Sequence, residues 1–193
     1  MPECLQPHQA TLLPSVMSTL TGAKPSSPAP DLQIRQASTP EDLAAARALF
    51  EEYAAWLRVD LCFQRFKEEL ASLPGLYAQP RGRLLLALVG DEVAGGVALR
   101  PMSDEVCEMK RLFVRPAFRG SGVGRRLAET VILEARNTGY RCMRLDTLAS
   151  MHGALRLYAS LGFIRCPAYY DTPLAETVFM ELRLRESAAR LPY

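Results

Sequence analysis

Residues 112–124 constrain this chain more than any other segment. A short apolar strand, Leu112-Phe113-Val114, runs through Arg115-Pro116-Ala117-Phe118 into Arg119-Gly120-Ser121-Gly122-Val123-Gly124. Val123, Leu127, Val131 and Ala135 then recur at helical spacing, which predicts an amphipathic helix closed by Gly139. Glycines let backbone N–H groups converge without side-chain obstruction. A helix N-terminus adds unsatisfied N–H groups and partial positive charge. Together these predict a pocket for a pyrophosphate. Lys110, Arg111, Arg115, Arg119, Arg125 and Arg126 fall within 17 residues that contain no acid, which suits a ligand with several phosphates. The plainer alternatives are a solvated basic face or a nucleic-acid patch. No Gly-Lys-Ser/Thr of a Walker loop is present, and Arg125 stands where the third glycine of a dinucleotide loop would fall.

The surrounding pattern places this turn in a mixed sheet. Leu32, Ile34 and Gln36 read as a short strand. Thr39 can cap a helix with Pro40 in its first position, and Glu41 and Asp42 suit its N-terminal dipole. Leu43, Ala46, Phe50, Tyr53 and Leu57 form one apolar stripe of that helix. A second helix is predicted over Phe63 to Ser72. Arg83 to Val89 and Val93 to Arg100 make a hairpin about Gly90-Asp91-Glu92, and Val106 to Val114 is a fourth strand. Arg141 to Thr147 is the fifth, and Ser150 is placed to cap a short helix ending before Gly162. Phe163 to Cys166 and Val178 to Leu184 complete the order βααβββαβαββ. The expected class is α/β (α+β), a mixed sheet with helices on both sides.

Composition narrows the function classes. The 193 residues fit one domain plus a tail, and 49% are apolar, enough to bury a core. Residues 1–30 hold six of the 14 prolines and read as a flexible tail or an over-long start, so the domain is expected over 31–193. Five cysteines without a C-x-x-C pair fit reduced thiols in the cytoplasm, and two histidines leave no His-rich metal site. No apolar run approaches the ~20 residues of a membrane span. The net charge of +2 speaks against a nucleic-acid-binding protein.

Several segments together resemble the GNAT superfamily of N-acetyltransferases over roughly residues 32 to 185. Arg119 to Gly124 is similar to that family's Q/R-x-x-G-x-G/A loop, with Gly122 and Gly124 as its glycines. Ala154-Leu155-Arg156-Leu157-Tyr158-Ala159-Ser160-Leu161-Gly162-Phe163 is similar to its A-x-x-L-Y-x-x-x-G-F motif. The expected helix and strand lie between them. The resemblance implies a mostly antiparallel sheet of about seven strands flanked by helices. It also implies acetyl-CoA as co-substrate, and no metal. Cofactor contacts are expected from Leu112, Phe113, Val114, Arg119, Gly120, Ser121, Gly122, Val123, Gly124 and Arg125. Many relatives carry Asn three residues before the motif's alanine. Met151 stands there, so no side-chain contact is carried over.

The implied chemistry is attack of an amine on a thioester, which needs amine deprotonation, oxyanion stabilisation and protonation of the leaving thiolate. Tyr158 is the candidate acid, against the plainer reading of a core tyrosine. Glu108 is the candidate base, weighed about evenly against a salt bridge with a neighbouring Arg or Lys. Alternation puts Glu108 and Lys110 on one strand face, and Cys107, Met109 and Arg111 on the other, unless a bulge intervenes. An acyl-Cys107 route is disfavoured. Asp146 could orient the amine or cap its loop. The acceptor pocket is expected to draw on Tyr53, Trp56, Leu57, Phe63, Phe66, Tyr169, Tyr170 and Asp171. A small-molecule amine or a peptide N-terminus would fit, without nucleic acid or membrane, and a homodimer is compatible. The competing class is a CoA-binding sensor without catalysis.

Overall fold

The computed structural model describes residues 31–57 and 65–184. The expected tail over 1–30 and the substrate candidate Phe63 lie outside the described residues. The elements are β1 (Leu32–Gln36), α1 (Pro40–Leu57), α2 (Phe66–Ala71), β2 (Arg83–Val89), β3 (Glu92–Pro101) and β4 (Val106–Val114). They continue as α3 (Val123–Thr138), β5 (Cys142–Leu148), α4 (His152–Ser160), β6 (Ile164–Arg165) and β7 (Thr177–Arg183). The sheet has seven strands in the order β1-β2-β3-β4-β5-β7-β6, with β4 and β5 parallel and every other pair antiparallel. This is the α/β arrangement the sequence predicts.

Strand alternation divides the core in two. Leu85, Ala87, Val97, Leu99, Cys107 and Met109 face α3, meeting Val123, Leu127, Val131 and Ala135 of its apolar stripe. Leu84, Leu86 and Ala98 face α1, meeting Ala46, Leu49 and Phe50. The start of α1 follows its caps. The Asp42 N–H donates to Thr39 Oγ1 at 3.2 Å, while Asp42 Oδ2 accepts from the N–H groups of Ser38 and Thr39 at 3.1 and 3.3 Å. These reciprocal bonds satisfy donors that the first turn leaves orphaned. The start of α4 departs from expectation. Met151, not Ser150, is its capping residue, and no side chain closes the cap.

Two irregularities position the site. Pairing of β4 with β5 covers only Val106–Glu108 against Cys142–Arg144, although β4 continues to Val114 and β5 to Leu148. Beyond Glu108 the two strands splay. In addition, the β3–β4 register advances by two residues on β3, from Gly96 to Ala98, while it advances by three on β4, from Phe113 to Lys110. This is a bulge in β4, and Arg111 sits in it with φ 58. Next to it Gly95 of β3 pairs with Val114, where an added Cβ would come within 2.5 Å of the Phe113 carbonyl oxygen. Among the described residues, no helix is long and apolar enough to cross a membrane.

Candidate active site

The glycine turn forms one side of a groove. Gly120 and Gly122 take φ values of 81° and 89°, and a Cβ at either would meet open space, so the backbone angle alone selects glycine there. Gly122 caps α3 in the left-handed conformation without a side-chain bond. The N–H groups of Val123, Gly124 and Arg125 precede the first intrahelical donor, Arg126, whose N–H reaches the Gly122 carbonyl at 3.1 Å. The Val123 side chain is buried in the core, so its backbone is what it offers. Leu112, Phe113, Val114, Phe118, Arg119, Gly120 and Gly124 line the groove with the first turn of α4.

The cations near the turn do not act together. Lys110 pairs with Asp146, Arg111 with Glu69, and Arg115 with Glu52. Arg125 donates to Ser160 Oγ and stands 3.6 Å from Glu129. The Ser121 hydroxyl turns back to the Phe118 carbonyl. Arg119 donates to the Val114 carbonyl at 3.0 Å and lies 4.5 Å above the Trp56 ring. Trp56, expected against the acceptor, is 45% exposed and lines this groove. These pairings leave backbone N–H groups, with Arg119 and the exposed Arg126, as the donors at the turn.

A second cavity fills the splay between β4 and β5. It is lined by Tyr53 and Leu57 of α1, Lys110, Arg111 and Leu112 of β4, and Asp146 of β5. Met151, Tyr158, Tyr170 and Leu174 add to its walls, with Thr147 and Thr177 among the polar lining. Tyr53, Leu112 and Met151 line both cavities, so groove and cleft meet there.

Inside this cleft Tyr158 is almost wholly buried, and among the described residues its hydroxyl has no hydrogen-bond partner. Burial, reinforced by Tyr53 and the Asp146 charge, pushes its phenol well above the usual value. Burial also raises Tyr53, with Arg111 opposing and Asp146 adding to the rise. Lys110 Nζ donates to Asp146 Oδ1 at 2.7 Å and thereby ties the splayed strands together. Asp146, read as an amine-orienting or loop-capping group, makes this cross-strand pair instead of a cap.

Glu108 is fully buried and does not line the cleft. Its Oε2 accepts from Arg100 Nε at 2.6 Å, and its Oε1 accepts from the Tyr169 hydroxyl at 2.9 Å with Lys110 Nζ at 3.7 Å. Tyr169 is thus a second-row residue, its ring packed on Tyr170 and Phe179, while Tyr170 forms cleft wall. The Cys107 thiol faces the other side of the sheet and is 3.5 Å from the Cys142 carbonyl, with burial raising its pKa.

Sequence reasoning missed the Arg111–Glu69 pair. Alternation assigns Arg111 to the Cys107 face, but the bulge returns it to the Lys110 face. There Nε and Nη2 grip both oxygens of Glu69 at 3.0 and 2.6 Å, above the Phe66 ring. Burial alone would raise Glu69, yet the Arg111 bonds and charge, with Tyr77, hold it below the usual carboxylate range. The adjacent Gly95-Gly96 pair was the readable signal, since paired glycines in a strand mark a bulge or a close approach.

A mixed sheet split at its one parallel pair, with a glycine-capped helix beside the split, is the layout of a CoA-dependent acetyltransferase. The Acetyltransferase (GNAT) family matches residues 43–163, and the chain belongs to that family. It is 37% identical over 156 residues to an uncharacterized N-acetyltransferase of Schizosaccharomyces pombe, covering 80% of this chain and 96% of that one. An uncharacterized N-acetyltransferase of Dictyostelium discoideum is 31% identical over 207 residues, covering 75% and 96%. A solved Salmonella typhimurium structure with its cofactor acetyl-CoA superposes with a TM-score of 0.57 at 25% identity, over 82% of this chain and 96% of that one. The chain is an acetyltransferase enzyme, of a family that uses acetyl-CoA.

Proposed function

We propose that the enzyme transfers an acetyl group from acetyl-CoA directly to a primary amine of a small molecule or peptide N-terminus, with both substrates bound together. The observation that carries this reading is the junction of groove and cleft at Tyr53, Leu112 and Met151. A ligand held by the turn and a second held in the splay would meet there without a covalent relay, and Cys107 lies on the wrong face to serve as one.

Acetyl-CoA supplies an activated acetyl thioester. Gly120, Ser121, Gly122, Val123, Gly124 and Arg125 offer backbone N–H groups to its pyrophosphate, and Arg119 and Trp56 form the groove wall. Leu112, Phe113 and Val114 present strand backbone along the arm. The amine nitrogen bonds to the acetyl carbon, the carbon–sulfur bond breaks, Tyr158 gives its proton to the departing sulfur, and the proton the nitrogen loses passes to water, from which Tyr158 is reprotonated. Its raised pKa keeps the phenol protonated at any physiological pH. Glu108 positions: it fixes Lys110 and Tyr169 and reaches the cleft only through them.

Calorimetric titration with acetyl-CoA followed by free-thiol release over a panel of amines tests the proposal. Micromolar binding with acceptor-dependent release is expected. Binding without release on any amine would return the chain to the sensor class, and absent binding would refute the turn assignment.

A further inference from the structure

The charges lining the acceptor cleft are unequal. Among the described residues they are Lys110, Arg111 and Asp146, two positive and one negative. Glu69 and Glu108 balance the cations from behind and do not line the cavity. What each group leaves unused matters more than its sign. Lys110 Nζ has three donors and makes one hydrogen bond, to Asp146 Oδ1, with Glu108 Oε1 beyond bonding distance at 3.7 Å. Arg111 spends Nε and Nη2 on Glu69, which leaves Nη1 without a partner among the described residues. Asp146 Oδ2 likewise has none among them.

The cleft thus offers spare donors on two adjacent cations and one spare carboxylate oxygen beside them. Resting on the transferase reading above, we infer that the acceptor is a zwitterion, an α-amino acid whose carboxylate meets Lys110 and Arg111 while its amino group meets Asp146. The Lys110–Asp146 contact holds opposite charges 2.7 Å apart, so that an amino acid's own adjacent charges can lie against them in reverse order. Both are nearly buried, where such complementarity is screened little. A polyamine would bring several positive charges to a lining already one positive charge in excess. Tyr53, Leu57, Met151, Tyr170 and Leu174 supply apolar and aromatic surface alongside Thr147 and Thr177, against which an apolar or aromatic side chain can lie.

The test compares substrates on the unmodified full-length enzyme. With saturating acetyl-CoA, thiol release is measured for L-phenylalanine against phenethylamine and L-leucine against isopentylamine, each rate corrected for its free-amine fraction. At least a tenfold higher kcat/KM for the amino acid of each pair is expected. Lys110→Met should shrink that ratio toward one by raising KM for the amino acid. Equal or better turnover of the decarboxylated amines would overturn the inference while leaving the transferase reading standing, as would an unchanged ratio in Lys110→Met. Absence of thiol release with all four compounds would overturn the inference, and the transferase reading would fall with it only if the wider amine panel also gave none.

Discussion

Tyr158 has two separable properties, a proton it retains and a place at the cleft. Tyr158→Phe keeps the ring packing on Phe163 and removes only the hydroxyl. We expect kcat to fall by about 10²-fold or more with acetyl-CoA affinity unchanged, since general-acid contributions run at that size. The pH profile provides an independent check. Because the folded-state pKa is raised above the ordinary tyrosine value near 10, the acid form persists past that pH. The kcat profile should rise with amine deprotonation and show no descending limb up to about pH 10. Glu108→Gln separates base from positioning residue. A positioning role predicts a loss of stability of about 3 kcal/mol, as Arg100 and Lys110 lose a buried counter-charge, with the shape of the pH profile kept. A kcat lowered 10³-fold at unchanged melting temperature would restore the base. Tyr158 was legible because its motif is contiguous. The surroundings of Glu108 were not, since Arg100 lies on another strand and Tyr169 is 61 residues away.

Among the elements, α1 and α3 begin by different means. The Thr39–Asp42 exchange could be read from spacing, and it fixes where α1 starts. Burial would raise the Asp42 pKa, but bonds from Ser38, Arg35 and Thr39 outweigh it and hold it below the ordinary value. A depressed folded-state pKa contributes stability above the unfolded pKa and loses it as pH falls through the folded one. The contribution should thus be present at neutral pH and fade below about pH 4. Thr39→Ala should cost about 1 kcal/mol in denaturant titration. For α3, Gly122 at φ 89 makes the cap. Gly122→Ala should cost about 1–2 kcal/mol from backbone strain, and Gly122→Glu should also abolish acetyl-CoA binding by placing a carboxylate at the anion site. The element order was legible from period and punctuation. The β4 bulge was hinted at by Gly95-Gly96 but not placed, because one inserted residue reverses Arg111 through Val114 and leaves an apolar run that suits either face.

At the scale of the molecule, the Glu69–Arg111 pair fastens α2 to the central strand. Glu69→Leu should destabilise the fold by about 3–5 kcal/mol, read as a lower melting temperature, since it strands a buried guanidinium. A mostly antiparallel sheet of about seven strands was expected from the resemblance, but the site's charge arrangement depends on which side chains the splay brings face to face. That depends on where pairing stops, which no local pattern encodes.

The three-residue contact between Val106–Glu108 and Cys142–Arg144 makes the sheet behave as two leaves on one short hinge. Beyond it, each leaf turns an edge of free backbone amides and carbonyls toward the other, a disposition that proteins otherwise protect on their outer rims. An amide-bearing arm drawn between the leaves would serve them as a clasp. At about a hundredfold excess over Kd, a ligand so bound would add about 2.7 kcal/mol to the folded state. Inner-edge amides of residues 109–114 and 145–148 would exchange fast with solvent when the leaves are unclasped, and slow selectively when they are joined.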